Sequence, residues 1–96
     1  MTIFELLFLL IISHLFGDYV LQVDYIAKTK VNNLYHLFVH CILYLLPFYF
    51  VLGFHSLLIV ILISHFIIDL GKCKGKINYV LDQILHYIVL IGVLFI

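Results

Sequence analysis

His14, Asp18 and Gln22 follow one another at intervals of four near the end of the first apolar run, and His65 and Asp69 repeat the first interval in a later run. Asp82 and His86 give the same spacing in reverse order, and His36 and His40 form a histidine pair. In a helix, residues four apart lie on one face. Imidazole suits zinc, iron and nickel ions, and carboxylate suits harder ions. Ligands at i and i+4 of one helix reach the same ion, as in H-E-x-x-H zinc helices. Helical bundles assemble di-metal sites from facing helices in this way. The expected ligands are therefore His14, Asp18, His40, His65, Asp69, Asp82 and His86. They suffice for one or two divalent ions, zinc first, with manganese or iron as alternatives. Whichever of Asp18, Asp69 and Asp82 is not a ligand is the candidate catalytic base. Gln22, Gln83 and His36 form a second tier around the ligands.

The elements that must carry these groups are apolar. Of 96 residues, 67% are hydrophobic and 10% are charged, where an average soluble domain has about 25% charged residues. A soluble chain this small could not bury so much apolar surface, so the expected solvent is lipid. A spanning helix needs roughly 20 mostly apolar residues, about 17 at the lower end. Four stretches qualify: 3–22, 35–52, 55–71 and 79–96. The expectation is an all-α, integral membrane four-helix bundle forming one transmembrane domain over residues 1–96. The first stretch lacks a basic leader and a small-residue cleavage site, and reads as a retained membrane helix. Net charge is zero with histidine neutral, which gives no basic field for nucleic acid. Cys41 and Cys73 match no zinc-ribbon or C-x-x-C spacing and read as free thiols.

All five lysines, Lys28, Lys30, Lys72, Lys74 and Lys76, lie in two loops that fall on the same side of the bundle, whereas the turn at Gly53-Phe54-His55 is apolar. The positive-inside rule puts those loops in the cytoplasm and both termini on the non-cytoplasmic side. The lysines need no other role in this reading. Tyr19, Tyr25, Tyr35 and Tyr79 near the loops read as an interfacial aromatic belt. Counted from the loops, the histidines and aspartates of all four stretches lie within about two helical turns of one level, at roughly 5.4 Å per turn. Interhelical bonds in membranes average only about 0.6 kcal/mol, while a central charge costs at least about 2.5–3.5 kcal/mol. Simple helix glue therefore explains the concentration poorly. Other polar residues have plainer readings: His55 solvated in the outer turn, Glu5 interfacial, Ser13 and Ser64 bonded to their own helices, Gly17 permitting close helix contact, and Pro47 a site for a kink.

The chain resembles a domain-of-unknown-function family of small bacterial and phage membrane proteins. Its pattern is H-x-x-x-D-[FY]-x-x-Q in the first span, a histidine in the second, H-x-x-x-D in the third and D-Q-x-x-H in the fourth. Here these are His14, Asp18, Tyr19 and Gln22, then His40, then His65 and Asp69, then Asp82, Gln83 and His86. The chain is also similar, in its H-x-x-x-D motifs, to bacterial membrane-bound metal-dependent hydrolases. The second resemblance implies a hydrolase of lipid or lipid-linked esters or phosphoesters at the cytoplasmic leaflet of the bacterial inner membrane, as a multi-pass protein. The competing class is a metal-ion or proton binding or transport protein working as a homo-oligomer. Span two beyond Cys41 and span four beyond Tyr87 offer such a route almost nothing polar. Haem ligation by paired histidines is disfavoured by the accompanying aspartates.

Overall fold

The computed structural model describes residues 2–95 and is all-α, with no strand among the described residues. Helix α1 (Ile3–Leu15) passes directly into a π-helical segment (Phe16–Val20). A short helix α2 (Asp24–Thr29) follows, then α3 (Leu34–Leu52), α4 (Leu57–Cys73) and α5 (Tyr79–Leu94). The first connection was expected to be a plain loop. It instead contains α2, whose C-terminal end brings Lys30 back to the bundle.

Side-chain oxygens set where three of the helices begin. Thr2 accepts from the Glu5 amide, Asn33 from the His36 amide and Asn78 from the Leu81 amide; each satisfies an N–H that the first turn leaves without a partner. Asn33 and Asn78 stand at the same end of the bundle. They fix the register of α3 and α5, and with it the depth of His40, Asp82 and His86. At the opposite end Gly53 closes α3 at φ 71°, a left-handed conformation that glycine adopts without a Cβ penalty. This makes the tight turn read from the sequence. Pro47 lies inside α3, and the helix runs through it without interruption.

The long helices form a closed ring. α1 packs on α3 and α5, α4 packs on the same two, and α2 lies against α3. One half of the interior is apolar: Leu10, Tyr44, Phe48, Ile61, Leu90 and Val93 form a continuous cluster. The half nearer the lysine-bearing loops is polar. Among the described residues nine buried side chains are polar or charged, against eight that are apolar, while Phe4, Phe8, Ile63, Ile67 and Ile88 are all exposed. That is the inverse of a water-soluble domain. Two helical runs, Ile3–Val20 and Leu34–Leu52, are long and apolar enough to cross a membrane; α4 has 17 residues and α5 has 16.

Packing of the apolar half predicts a sharp contrast between neighbouring phenylalanines. Phe48 is fully buried and Phe50 is 77% exposed. Phe48→Ala should cost about 3–5 kcal/mol, and Phe50→Ala no more than about 0.5 kcal/mol. Reversible unfolding of the purified variants in mixed detergent micelles measures both; equal losses would contradict the packing described.

Candidate metal centre

The polar half brings all seven expected ligands into one buried layer. Its centre is a pair of imidazoles: His40 Nε2 and His65 Nε2 lie 3.0 Å apart, across α3 and α4. A carboxylate flanks the pair on each side in nearly the same geometry. Asp18 Oδ1 is 3.3 Å from His40 Nε2 and 4.0 Å from His65 Nε2, and Asp69 Oδ2 stands at 3.3 Å and 4.0 Å from the same atoms. Next to them Asp82 Oδ1 is 3.4 Å from His86 Nε2, one turn along α5. Two triads have potential ligand atoms within 4.8 Å of one another: Asp18 with His40 and His65, and Asp18 with Asp82 and His86. Asp18 belongs to both.

Gln83 sets the orientation of this layer. Its amide nitrogen donates to Asp18 Oδ2 at 3.2 Å and to Asp82 Oδ2 at 3.0 Å. Its carbonyl oxygen therefore faces His14 Nε2 at 3.0 Å, so that nitrogen must carry a proton. In the neutral ring, His14 Nδ1 then accepts from the Tyr44 hydroxyl at 2.7 Å. Both nitrogens of His14 are thus engaged, and it enters neither triad. The four-residue spacing put His14 and Asp18 on one face, but the π-helical segment begins between them, with the Leu21 amide bonded to the Phe16 carbonyl. The wider turn changes the facing of the residues that follow. Asp18 turns to His40 and His65, and His14 turns to Gln83 and Tyr44.

Three contributors were not among the expected ligands or their second tier. Tyr44 stacks on His65 with ring centroids 3.7 Å apart, and His65 stacks in turn on His86 at 4.5 Å. Lys30, from the end of α2, is buried and donates to Asp69 Oδ2 at 2.8 Å. Lys72 lies 3.4 Å from Asp69 Oδ1 and 3.8 Å from Asp82 Oδ2. The reading of all five lysines as topology determinants alone is corrected for these two: uncompensated buried carboxylates are costly, and the ammonium groups match them. Of the second tier, His36 bonds Thr29 and ties α2 to α3, while Gln22 donates to the Asp18 carbonyl; only Gln83 touches the ligand carboxylates. Ser13 and Ser64 bond their own helices, and His55 is exposed in the outer turn, accepting from the Leu57 amide.

The layer suits a cation. Buried polar atoms are almost always paired, yet Asp82 Oδ1 and His86 Nε2 have no hydrogen-bond partner. Asp82 Oδ1 and His86 Nε2 face each other without bonding, as two donors to a shared ion would. A tetrahedral ion with bonds of about 2.0–2.1 Å separates its donors by roughly 3.3 Å. The spacings of 3.0, 3.3 and 4.0 Å around His40, His65 and Asp18 bracket that value.

The sequence model of a family described as Protein of unknown function (DUF3307) matches residues 6–96, nearly the whole chain. No curated protein matches the chain, and neither does any solved structure.

Close approach of the π-helical segment to α3 depends on Gly17. A Cβ there would stand 3.0 Å from the Tyr44 carbonyl oxygen and 3.1 Å from its Cα, and backbone cannot swing aside as a side chain tip can. Gly17→Ala should cost on the order of 1–3 kcal/mol. At Gly92 a Cβ meets nothing within 4 Å, so Gly92→Ala should be neutral, or stabilising by up to about 1 kcal/mol. Thermal unfolding of both variants checks the contrast.

Proposed function

The chain belongs to the DUF3307 family, whose description assigns no reaction, and from the geometry of its buried layer we propose that it is a membrane-embedded metal-dependent hydrolase acting on a lipid or lipid-linked ester or phosphoester. The observation that carries the reading is the triad of His40, His65 and Asp18, with donor atoms within 4.8 Å of one another. Two imidazoles and one carboxylate are a donor set that holds catalytic zinc with a fourth position open. A metal there lowers the pKa of bound water toward about 7 and polarises a carbonyl or phosphoryl oxygen.

The chain's own residues supply the rest. Gln83 holds the Asp18 carboxylate by its second oxygen, and Tyr44 fixes the plane of His65 by stacking. His86, 3.4 Å from Asp82 Oδ1, is placed to take a proton, and the Asp82 carboxylate would stabilise the imidazolium so formed. Asp69 is a poor base because Lys30 and Lys72 both lie on it. Charge favours a single divalent ion, zinc before manganese or iron. The layer sets three carboxylates against two ammonium groups, which leaves one negative charge. A second ion, bridged by Asp18 to Asp82 and His86, would carry the layer well into positive charge.

Placement follows from the exposed apolar surface. At 1.5 Å per residue, helices of 16–19 residues reach about 24–28 Å, near the hydrocarbon thickness of a thin bilayer. In this reading all four long helices span a bacterial inner membrane as a multi-pass bundle. The lysine-bearing loops lie in the cytoplasm and both termini on the other side. The polar layer is then in the cytoplasmic leaflet, where a lipid arrives laterally. A second reading is supported by the 3.0 Å contact of His40 and His65 between two carboxylates, which fits a shared proton. Transport by one chain is disfavoured by the apolar cluster of Leu10, Phe48, Ile61 and Leu90 that fills the other half of the bundle; it would require an oligomer.

Detergent-purified protein should contain about one zinc, manganese or iron atom per chain by elemental mass spectrometry. His65→Ala and Asp18→Ala should lose it and His55→Ala should keep it; equal metal in all three would remove the site. For topology, a cysteine placed at Lys74 should react only with reagents that enter the cytoplasm, and one at His55 with impermeant reagents from outside. The opposite pattern would move the site to the outer leaflet.

A further inference from the structure

We infer that Lys30 and Lys72 form an anion-binding site for a phosphate group, which makes the substrate a phosphoester rather than a neutral ester. The inference rests on the metal reading above. Two ammonium groups, one from the end of α2 and one from the last turn of α4, converge on the two oxygens of one carboxylate, Asp69. Lys30 is 5% exposed, although a lysine in a polar loop could reach water at no cost. Lys72 is the more open of the two; its side chain is 27% exposed and lies 5.9 Å from the Tyr79 ring centroid. The Tyr79 hydroxyl bonds that of Tyr19. The rim of the polar layer therefore consists of one ammonium and two phenols, with a second ammonium deeper inside.

Charge decides the class of ligand. Three carboxylates and two ammonium groups leave the layer short of positive charge by one. A single divalent ion on Asp18, His40 and His65 reverses that, leaving one positive charge in an apolar surrounding. While the metal-bound water keeps its proton, a neutral ester brings nothing to offset that charge, which is costly in a buried site. A phosphate diester neutralises it, and a monoester, at about −1.5 to −2, more than offsets it. Asp69 Oδ2 is 2.8 Å from Lys30 and 3.3 Å from His40, so the two lysines lie one carboxylate from the triad. Lys72 meets Asp69 Oδ1 only at 3.4 Å and without a hydrogen bond, so it can turn toward a ligand while Lys30 keeps its bond to Asp69 Oδ2. Phosphate can belong to a lipid headgroup or be free in the cytoplasm, and the test separates the two.

Zinc-loaded protein in detergent would be titrated with dioctanoyl phosphatidate, inorganic phosphate and dioctanoylglycerol, with binding followed by phosphorus NMR for the first two and by equilibrium dialysis for all three. Zinc content would be measured on the same samples. The expected result is saturable binding of phosphatidate, none of dioctanoylglycerol, and binding at least about tenfold weaker in Lys72→Met and Lys30→Met at unchanged zinc content. Lys72→Arg should keep most of the affinity. Lys30→Met removes a buried partner of Asp69 and can fail to fold; the half-exposed Lys72 then carries the test. Inorganic phosphate binding as tightly as phosphatidate supports the anion site and assigns it to free phosphate. Undiminished phosphatidate binding in Lys72→Met with zinc retained, or equal binding of dioctanoylglycerol, overturns the inference and leaves the metal centre standing. Absence of zinc from the wild-type protein overturns both.

Discussion

Three carboxylates buried at one level of an apolar bundle must be matched by positive charge, and the rest of the structure is arranged around that need. Asp18, Asp69 and Asp82 each come from a different helical segment. Left bare in a low-dielectric interior they would cost several kcal/mol apiece. Lys30 is drawn in from the end of α2 to Asp69, Lys72 reaches Asp69 and Asp82 from the last turn of α4, and Gln83 donates to Asp18 and Asp82 together. This explains why a six-residue helix lies in what is otherwise a connection: α2 ends where Lys30 can enter the layer.

The same constraint divides the bundle into two functional halves. Away from the loops the four helices interlock through Leu10, Phe48, Ile61, Leu90 and Val93, which seal that end. Toward the loops, imidazoles and carboxylates replace them at the same interior positions. The apolar half holds the helices in register. The asparagine caps at α3 and α5 and the contact of Gly17 with Tyr44 set their depth and approach. A donor set made of side chains from facing helices is only as well placed as that register, which is why a site of this kind needs a packed half beside it.

Much of this was legible in the residues. The four-residue intervals placed His65 with Asp69, and Asp82 with His86, and counting from the loops put both pairs at one level. Gly53 as a turn, Gly17 as a contact point and the two serines as bonded to their own helices also followed from local chemistry. Lys30 did not, because a lysine in an irregular connection has no periodicity to reveal where its side chain goes. Tyr44 stood among apolar neighbours as an ordinary core aromatic, although it lies one turn from His40 on the same face. His14 was assigned by an interval that holds only for regular α-helix, and the π-helical winding after Leu15 breaks that rule.

X-ray absorption at the zinc edge of the purified, zinc-loaded protein tests the central claim most directly. A centre built on His40, His65 and Asp18 predicts nitrogen and oxygen neighbours at about 2.0–2.1 Å with imidazole scattering beyond them. A shell containing sulfur at about 2.3 Å, which here could come only from Cys41, Cys73 or Met1, or a shell of water oxygens without imidazole, would contradict it.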